Sequence, residues 1–186
     1  MERGIVTADA RAHYTAPAIV LHWLMALLIV SSLALGYYMS GLPFSPSRIR
    51  LFSYHKWLGI TILALAAARL LWRLFHRPPP LPATMPAWQK GAAHAVHWLL
   101  YALFFAVPLA GWAYSSAAGF PIVYFGVVPL PDWVAPDEGL AKQLETVHAV
   151  LAYGLAAVVL GHIAAAAKHG LEDPVGYLQR MLACRS

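Results

Sequence analysis

Four long apolar runs dominate the pattern of hydrophobic and polar positions along this chain. They extend over about residues 17–39, 51–74, 93–114 and 147–167, and none has an Asp or Glu in its interior. A helix of about 20 apolar residues is long enough to cross the roughly 30 Å hydrocarbon layer of a bilayer. The pattern therefore predicts an all-α integral membrane protein built as a bundle of four transmembrane helices.

The connections between these runs differ in character. Residues 40–50 form a short stretch rich in Ser and Pro, and residues 75–90 hold five prolines, which forbid a continuous helix. The longer third connection, 115–146, carries aromatic residues among Gly and Pro, which is typical of a loop in the membrane interface. We expect it to cap one end of the bundle. After the fourth run, the spacing over 175–182 predicts a short amphipathic surface helix.

Composition supports a single membrane domain over residues 1–186. The chain is 60% hydrophobic and only 11% charged, outside the usual range of soluble proteins. The first run is too long for the apolar part of a signal peptide, so we expect it to remain as a helix. No internal repeat or nucleic-acid motif is present, and the net charge of +5 is better explained by membrane-flanking Lys and Arg than by a nucleic-acid surface.

The distribution of positive charge predicts the orientation of the bundle. The side that holds both termini carries nine basic residues, namely Arg3, Arg11, Arg69, Arg73, Arg77, Lys90, Lys168, Arg180 and Arg185. The opposite side carries four, namely Arg48, Arg50, Lys56 and Lys142. Because Lys and Arg are enriched in cytoplasmic segments, both termini are predicted to lie in the cytoplasm.

Two histidines in the fourth run are the first candidates for chemistry. His148 and His162 are fourteen residues apart, so they share one helix face at a separation of about 21 Å along the axis. Ionisable or metal-binding side chains inside a membrane span are rare and costly, and they indicate function. Two stacked ligand positions suggest two stacked metal cofactors.

Depth in the membrane pairs these residues with histidines on other helices. His22 and His162 lie near the cytoplasmic side, whereas His55 and His148 lie just inside the external ends of their runs. Two neutral imidazoles on facing helices are a good axial set for haem iron. The spacing therefore predicts one cytoplasmic-side and one external-side haem iron, each six-coordinate and suited to electron transfer.

Other interpretations of these histidines compete with this one. A lone intramembrane histidine is more often a hydrogen-bonding group than a ligand, but four at matched depths favour ligation. Zinc is a poor competitor, because its sites usually want Cys or carboxylate ligands as well. His94 and His97, on one face of the third run, could replace His22 as the partner of His162 or handle protons beside a quinone. The single cysteine, Cys184, excludes an intramolecular disulfide and covalent haem attachment.

Further residues suit a haem bundle without requiring one. Gly59 lies one turn after His55, and Gly161 precedes His162, so a flat macrocycle or a neighbouring helix could approach closely at either. Arg69 lies fourteen residues after His55, near the same face at the cytoplasmic level, where its guanidinium could hold a haem propionate.

Together these residues resemble the bacterial cytochrome b561 family, and the similarity runs through all four helices. It is carried by Leu21-His22-Trp23, by Tyr54-His55-Lys56 with Gly59 and Arg69, by Gly91-x-x-His94-x-x-His97, and by Val147-His148 through Gly161-His162-Ile163-Ala164-Ala165-Ala166. The resemblance implies a four-helix cytochrome with two non-covalent b haems, ligated by His22, His55, His148 and His162, with quinone as a redox partner.

The family resemblance identifies the cofactors better than the substrate. Its best-understood type is a superoxide oxidase, which passes electrons from superoxide to ubiquinone, but the same helical pattern occurs in the cytochrome b subunits of nickel-iron hydrogenases and formate dehydrogenases. Two hypotheses therefore stay open. One is an enzyme in which Arg48, Arg50 and Lys56 steer superoxide to the external haem. The other is a non-enzymatic conduit that relays electrons between a periplasmic redox protein and quinone, in which case these cations are ordinary helix-end anchors.

Overall fold

The computed structural model of the chain describes residues 14–81, 85–172 and 179–182. The elements are α1 (Ala16–Ser40), α2 (Pro46–Phe75), α3 (Ala87–Ala117), β1 (Val123–Tyr124), β2 (Val128–Pro129), α4 (Glu138–Glu172) and α5 (Gln179–Leu182). Helices α1 to α4 are each long and apolar enough to cross a membrane. The prediction of a helical membrane protein with four spanning helices is therefore confirmed.

Helix α2 begins earlier than the apolar run that predicted it. The run starts near residue 51, whereas the helix starts at Pro46. Pro46 occupies the first helical turn, and the Ser45 hydroxyl accepts a hydrogen bond from the Arg48 backbone N–H at 3.2 Å. Proline in the first turn and a serine cap are favourable helix starts. The first turn of α2 is set by this cap and not by the edge of the apolar stretch.

Helix α4 shows the same discrepancy on a larger scale. It begins at Glu138, although the apolar run starts near residue 147. The Asp137 carboxylate accepts a hydrogen bond from the Leu140 N–H at 2.8 Å, as expected of an acidic cap at a helix start. The additional turns are polar, so hydropathy cannot detect them, and the prediction that residues up to 146 form a connection was wrong.

Successive helices are neighbours in space. Helix α1 packs against α2, α2 against α3, and α3 against α4. Their shared core is apolar and consists of Met25, Ile29, Ile62, Ala66, Leu100, Leu103 and Leu155. On the outside, large apolar side chains such as Leu27 and Leu160 are about two-thirds exposed. Exposed apolar side chains on helices of this length are the expected lipid-facing surface.

The third connection forms a small antiparallel hairpin that sequence reasoning did not predict. In it, Val123 pairs with Pro129 and Tyr124 with Val128. Strands of two residues are too short to produce a recognisable alternation, which explains why they were missed. Phe125 and Gly126 form the turn with φ values of 51° and 73°. A left-handed conformation at consecutive turn residues suits the twist of a hairpin.

Polar contacts fasten this hairpin to α2, close to His55. The Trp57 indole N–H donates to the Val123 carbonyl at 2.7 Å. The Lys56 ammonium donates to the Phe120 carbonyl at 2.8 Å. One turn along, the hydroxyls of Thr61 and Tyr124 are 2.8 Å apart. The predicted cap at one end of the bundle is therefore held by residues that follow His55.

The other end of the bundle is joined by contacts that reach α5. The Trp23 indole N–H on α1 donates to the Met181 carbonyl at 2.8 Å, and the Arg180 guanidinium donates to the Pro80 carbonyl at 3.1 Å. Residues 173–178 lie outside the described part of the chain, as does Cys184. The predicted surface helix over 175–182 thus has only its last turn in the described structure, and its amphipathic character stays a prediction.

Replacing Trp57 by Phe should loosen the hairpin. The change removes the donor to Val123 while keeping most of the ring, and a lost hydrogen bond of this kind costs about 1 kcal/mol. If the hairpin opens locally, the backbone amides of β1 and β2 should exchange with solvent about fivefold faster. Hydrogen exchange in detergent measures this effect, with Trp88→Phe on the exposed start of α3 as the matched control. Equal exchange rates in the two variants would contradict the fastening role.

Candidate functional site

The structure brings the four predicted histidines together as two pairs. On one level, the rings of His22 in α1 and His162 in α4 have centres 6.3 Å apart. On the other level, the rings of His55 in α2 and His148 in α4 have centres 6.1 Å apart. The ring planes are inclined at 68° in the first pair and 83° in the second. These are the partners that matching of depths along the sequence predicts. We call the level of His22 and His162 inner and that of His55 and His148 external, after the orientation that the sequence predicts.

The ring separations suit a metal ion held between each pair. An imidazole nitrogen binds a first-row transition metal at about 2 Å, and about 1 Å more reaches the ring centre. Two imidazoles on opposite sides of one ion therefore have ring centres about 6 to 6.5 Å apart by the same geometry. Both pairs lie at this distance. Among the described residues, no group of three or more His, Cys, Asp or Glu side chains could hold a metal ion.

Histidine side chains connect α4 with α1 and α2 across the bundle. Close backbone approaches join α4 to α3, but hardly any join it to α1 or α2. The histidine rings reach across this separation from α4 to α1 on one level and to α2 on the other. A flat macrocycle needs a gap of this kind between the helices that supply its axial ligands. The packing therefore leaves each histidine pair as a bridge between α4 and the facing helix.

His148 has the proton arrangement that metal binding requires. Its Nδ1 lies 3.0 Å from the Val107 carbonyl oxygen on α3. A carbonyl oxygen can only accept, so the proton must be on Nδ1, and Nε2 keeps its lone pair. Ligating histidines usually donate their other ring N–H to such an acceptor, which fixes both tautomer and orientation. His148 is thus already oriented to bind a metal through the lone pair on Nε2.

His55 has a comparable but adjustable partner. The Ser32 hydroxyl on α1 lies 3.4 Å from His55 Nδ1. Ser32 is one of the few buried polar residues of the described chain, with 9% of its surface exposed. A hydroxyl can rotate to accept from a protonated Nδ1, so this contact also permits an Nε2 lone pair. Ser32 and Val107 could not be recognised from the sequence. Ser32 is an ordinary polar residue, and Val107 acts through its main-chain carbonyl.

Two glycines give these external histidines their space. A Cβ atom placed on Gly36 would lie 3.0 Å from His55 Cε1, and one placed on Gly111 would lie 2.8 Å from His148 Cε1. Both distances are shorter than ordinary carbon contacts, which have their optimum at about 3.5 to 4.0 Å. Neither glycine can be recognised from the sequence. Helix periodicity shows which residues share a face, but it does not show which glycine a ring from another helix will meet.

The glycines that the sequence did single out have a different environment. A Cβ atom on Gly59 or on Gly161 would meet no described heavy atom within 4 Å beyond its own helical neighbours. Close approach of a neighbouring helix therefore does not explain either residue. The room beside them is compatible with the other suggestion, a macrocycle, and that role stays a prediction.

At the inner level, Arg69 contacts the ligand candidate directly. Its guanidinium lies 3.3 Å from His22 Nδ1 and donates through Nε to the Tyr101 hydroxyl at 3.2 Å. An arginine is always a donor, so Nδ1 of His22 accepts in this arrangement and the proton resides on Nε2. Metal binding through Nε2 requires the opposite tautomer. Arg69 must therefore turn away from the ring when His22 binds a metal.

A small cavity of about 60 Å³ lies beside Arg69 at this end. Its lining includes Tyr14, Arg73 and Tyr101, and the Arg73 guanidinium stands 5.7 Å from the centre of the Tyr101 ring. Burial raises the pKa of the Tyr14 hydroxyl above its usual range, so this phenol stays protonated and able to donate. A carboxylate-sized anion would find cationic and hydroxyl donors here.

His97 is the third imidazole at the inner level. Its ring centre is 5.4 Å from that of His162, nearly 1 Å closer than two ligands of one ion require by the estimate above. It also lies on α3, which packs directly against α4. Its Nδ1 donates to the Ala93 carbonyl of its own helix at 2.6 Å. The geometry favours His22 over His97 as partner of His162, and His94 is exposed on the same helix.

The three candidate steering cations differ in their availability. The Lys56 ammonium is engaged with the hairpin, where it also lies 6.0 Å from the Phe120 ring centre. The Arg48 guanidinium lies 5.3 Å from the Phe52 ring centre, and its Nε is buried without a hydrogen-bond partner. Arg50 is exposed. Lys56 is therefore first a fastener of the hairpin, and Arg48 and Arg50 are the better candidates for attracting an anion.

An open cavity of about 570 Å³ lies at the external end between α3 and α4. Its lining includes Tyr114, Asp137, Glu138, Lys142 and Glu145. Glu145 and Tyr114 lie about one turn outward from His148 and Gly111, so the cavity adjoins the external histidine pair. Three carboxylates against one ammonium make this entrance negative, in contrast to the basic start of α2.

Comparison with known proteins agrees with this geometry. The family model of the prokaryotic cytochrome b561 proteins matches residues 13–183. The chain belongs to the prokaryotic cytochrome b561 family. Membership implies haem b binding and a place in a bacterial membrane, and the four apolar helices agree with the membrane location. The resemblance drawn from the sequence motifs is confirmed.

Curated members of the cytochrome b561 family resemble the chain over most of its length. It is 34% identical to cytochrome b561 homolog 2 of Escherichia coli (strain K12) over 163 residues, covering 87% of this chain and 86% of the relative. It is 31% identical to the probable superoxide oxidase CybB of Yersinia pestis over 180 residues, covering 91% and 95%. Cytochrome b561 homolog 1 of Escherichia coli (strain K12) is 27% identical over 168 residues.

Replacing Arg69 by Leu should destabilise the inner end of the bundle. The change leaves the buried Tyr101 hydroxyl without its described partner, which typically costs about 1–3 kcal/mol. Arg73→Leu is the matched control, because it loses only the ring contact to Tyr101, worth about 0.5–1 kcal/mol at a partly exposed site. Thermal unfolding of the purified variants in detergent measures the difference. If Arg73→Leu proved the more damaging change, the Arg69 contacts would not be the important ones.

Proposed function

We propose that this chain is a single-domain di-haem b cytochrome of a bacterial inner membrane, with both termini in the cytoplasm and residues 175–182 on the membrane surface. It carries electrons between an external donor and the quinone pool. The observation that supports this most directly is the presence of two histidine ring pairs, at 6.3 and 6.1 Å, on two levels of the bundle. Fourteen residues of α4 place the levels about 21 Å apart, most of the hydrocarbon thickness.

The donor set at each level fits haem b. A porphyrin supplies four equatorial nitrogens, so the protein needs to supply only two axial ligands, and each level offers two imidazoles. Bound haem iron with two axial imidazoles gains and loses single electrons without opening a site for oxygen. In this proposal His22 and His162 hold the cytoplasmic-side iron, and His55 and His148 hold the external-side iron.

Arg69 acquires a defined role at the inner level. Its guanidinium has to leave His22 Nδ1 before Nε2 of that ring can act as a ligand, and a haem propionate is the natural anion to receive it. Tyr14 and Arg73, in the cavity beside it, offer further donors for the same carboxylate. The proton released from Nε2 is regained at Nδ1, so His22 stays neutral throughout.

Superoxide is the proposed donor and ubiquinone the proposed acceptor. Each superoxide loses one electron and leaves as oxygen, and two such electrons with two protons convert the quinone to the quinol. Two observations support this choice. A relative 31% identical over nearly its full length is named a probable superoxide oxidase, and the α2 end nearest the external pair carries Arg48 and Arg50.

A second candidate function is an electron conduit without enzymatic activity of its own. The acidic cavity beside the external pair supports it, since Asp137, Glu138 and Glu145 would repel superoxide and attract a positively charged redox protein. In this function a periplasmic partner delivers electrons to the same external level, and quinone again receives them. The two functions share cofactors and differ in what approaches from outside.

Haem content and ligation provide the first test. The purified protein should contain two haem b per chain, and His148→Ala should remove the external haem while largely sparing the other. His94→Ala is the matched control, because His94 is exposed on α3 and should leave both haems in place. Haem extraction with absorbance spectroscopy gives the ratio. One haem per wild-type chain, or full occupancy in His148→Ala, would contradict the two-site assignment.

Rapid mixing with superoxide and a soluble quinone provides the second test. The enzyme hypothesis expects fast haem reduction followed by quinol formation, slowed by added salt because the attraction is electrostatic. Replacing Arg48 and Arg50 by Gln should slow the reduction and weaken its salt dependence, while oxidation of the reduced haems by quinone stays nearly unchanged. Lys142→Gln, on the acidic side, is the matched control.

The outcomes of this second test separate the two functions. A double variant that reacts with superoxide at the wild-type rate at low ionic strength would show that Arg48 and Arg50 are helix-end anchors. A wild-type protein with two haems that superoxide does not reduce would favour the conduit.

A further inference from the structure

Both external histidines rest on a glycine of the preceding helix. The His55 ring of α2 lies on Gly36 of α1, and the His148 ring of α4 lies on Gly111 of α3. In each case Cε1, between the two ring nitrogens, is the atom that an added Cβ would meet first, at 3.0 Å and 2.8 Å respectively. The missing side chain therefore leaves room for the edge of an imidazole.

The same two helices also supply the acceptor for each ring. Ser32 precedes Gly36 by four residues, and Val107 precedes Gly111 by four. Residues four apart lie on one face of a helix, so each glycine and its acceptor form one surface. We call Gly36 with the Ser32 hydroxyl the α1 seat, and Gly111 with the Val107 carbonyl the α3 seat. His55 Nδ1 lies 3.4 Å from the first acceptor, and His148 Nδ1 lies 3.0 Å from the second.

In each seat, the hydrogen bond between the ring and the acceptor depends on the glycine. Nδ1 reaches the acceptor while the ring lies against the glycine, and a Cβ atom there would displace the ring from that position. When Nδ1 holds its proton against an acceptor, the lone pair is confined to Nε2, and the ring orientation directs that lone pair. A ring displaced from its seat would lose the hydrogen bond that fixes its tautomer and the contact that directs its Nε2 lone pair.

We propose that the α1 and α3 seats position the two external histidines as axial ligands, and that Ser32 additionally sets the reduction potential of the iron they hold. This inference rests on the proposed function. A stronger hydrogen-bond acceptor at Nδ1 makes the Nε2 lone pair a better ligand for the metal. A better ligand in turn favours the ferric state. Gly36, Gly111 and Ser32 are thus positioning residues that do not touch the metal.

The inner pair lacks such seats, which makes the proposal specific to one level. His22 has an arginine at Nδ1 in place of an acceptor. The glycines of α1, α2 and α3 offer His162 no seat either, because Gly36 and Gly111 face His55 and His148, and a Cβ on Gly59 or Gly91 would meet no described atom within 4 Å. Changes to Gly36, Gly111 or Ser32 should therefore affect the external haem and leave the inner haem unaltered.

Alanine substitution of the seat glycines tests the positioning role. In the full-length protein purified in detergent, Gly36→Ala and Gly111→Ala should weaken external haem binding about 10- to 100-fold, as loss of an outer-shell partner typically does. Gly111→Ala should have the larger effect, because its Cβ would be closer to the ring. Gly154→Ala is the matched control, since a Cβ on that α4 glycine would meet no described atom within 4 Å. Haem content and low-temperature EPR of the two ferric haems are the readouts.

Substitution of Ser32 tests the tuning role with a readout that packing alone would not move. Ser32→Ala removes the acceptor and should shift the external haem to a higher potential in a redox titration. Ser32→Thr keeps the hydroxyl and should restore the wild-type value. The inner haem should titrate at the same potential in both variants.

The outcomes distinguish this inference from the proposed function. A wild-type protein with fewer than two haems would overturn the proposed function itself. Two haems in the wild type, with unaltered binding and EPR in Gly36→Ala and Gly111→Ala, would overturn the seats. If the glycine variants fail to accumulate in the membrane, the Ser32 pair decides: equal external potentials in Ser32→Ala and wild type would overturn the inference, and a shift reversed by Thr would support it.

Discussion

An imidazole inside a bilayer must find a partner for each ring nitrogen, and much of this structure follows from that constraint. Water is absent from the hydrocarbon layer, so an unpaired polar group there costs several kcal/mol. For three of the four paired histidines, the described structure supplies a partner at Nδ1: the Ser32 hydroxyl, the Val107 carbonyl and the Arg69 guanidinium. At His55 and His148 the remaining nitrogen is then the one that a metal can satisfy, whereas His22 reaches that state only once Arg69 has left its Nδ1.

The partners in turn determine how the helices pack. The Val107 carbonyl can serve as acceptor because the His148 ring lies against the α3 backbone, where only glycine at Gly111 leaves room. Gly36 likewise leaves room for the His55 ring, whose acceptor is the Ser32 side chain. Helices α1 and α3 therefore act as supports for rings carried by α2 and α4. Helix α4 remains separated from α1 and α2 by the width of the bridging side chains. Stability and cofactor binding are coupled here, because the groups that fill the gap also hold the helices in register.

Sequence periodicity was enough to predict the spans and the histidine pairs, because both depend on a single coordinate, the depth along the membrane normal. His55 and His148 pair because both lie just inside the ends of their apolar runs, about ten residues into their helices. Depth does not specify how each helix is rotated about its own axis. That rotation determines that Gly36 and Gly111, and not Gly59, face the histidine rings. The polar start of α4 at Glu138 was missed for a different reason, since hydropathy detects lipid contact and not helix formation.

The external end carries one group of basic side chains and one group of acidic side chains. Where the two groups lie matters more than their net charge. Arg48 and Arg50 stand at the start of α2, whereas the carboxylates of Asp137, Glu138 and Glu145 line the cavity between α3 and α4. In the proposed functions a small anion is attracted toward the first group, and a protein with a basic patch toward the second. Charges on a surface are screened beyond about 8 to 10 Å at physiological salt, so each group acts mainly on what approaches it closely. The hairpin is fastened to the same helix, α2, by Trp57 and Lys56, so this part of the external end has a fixed shape.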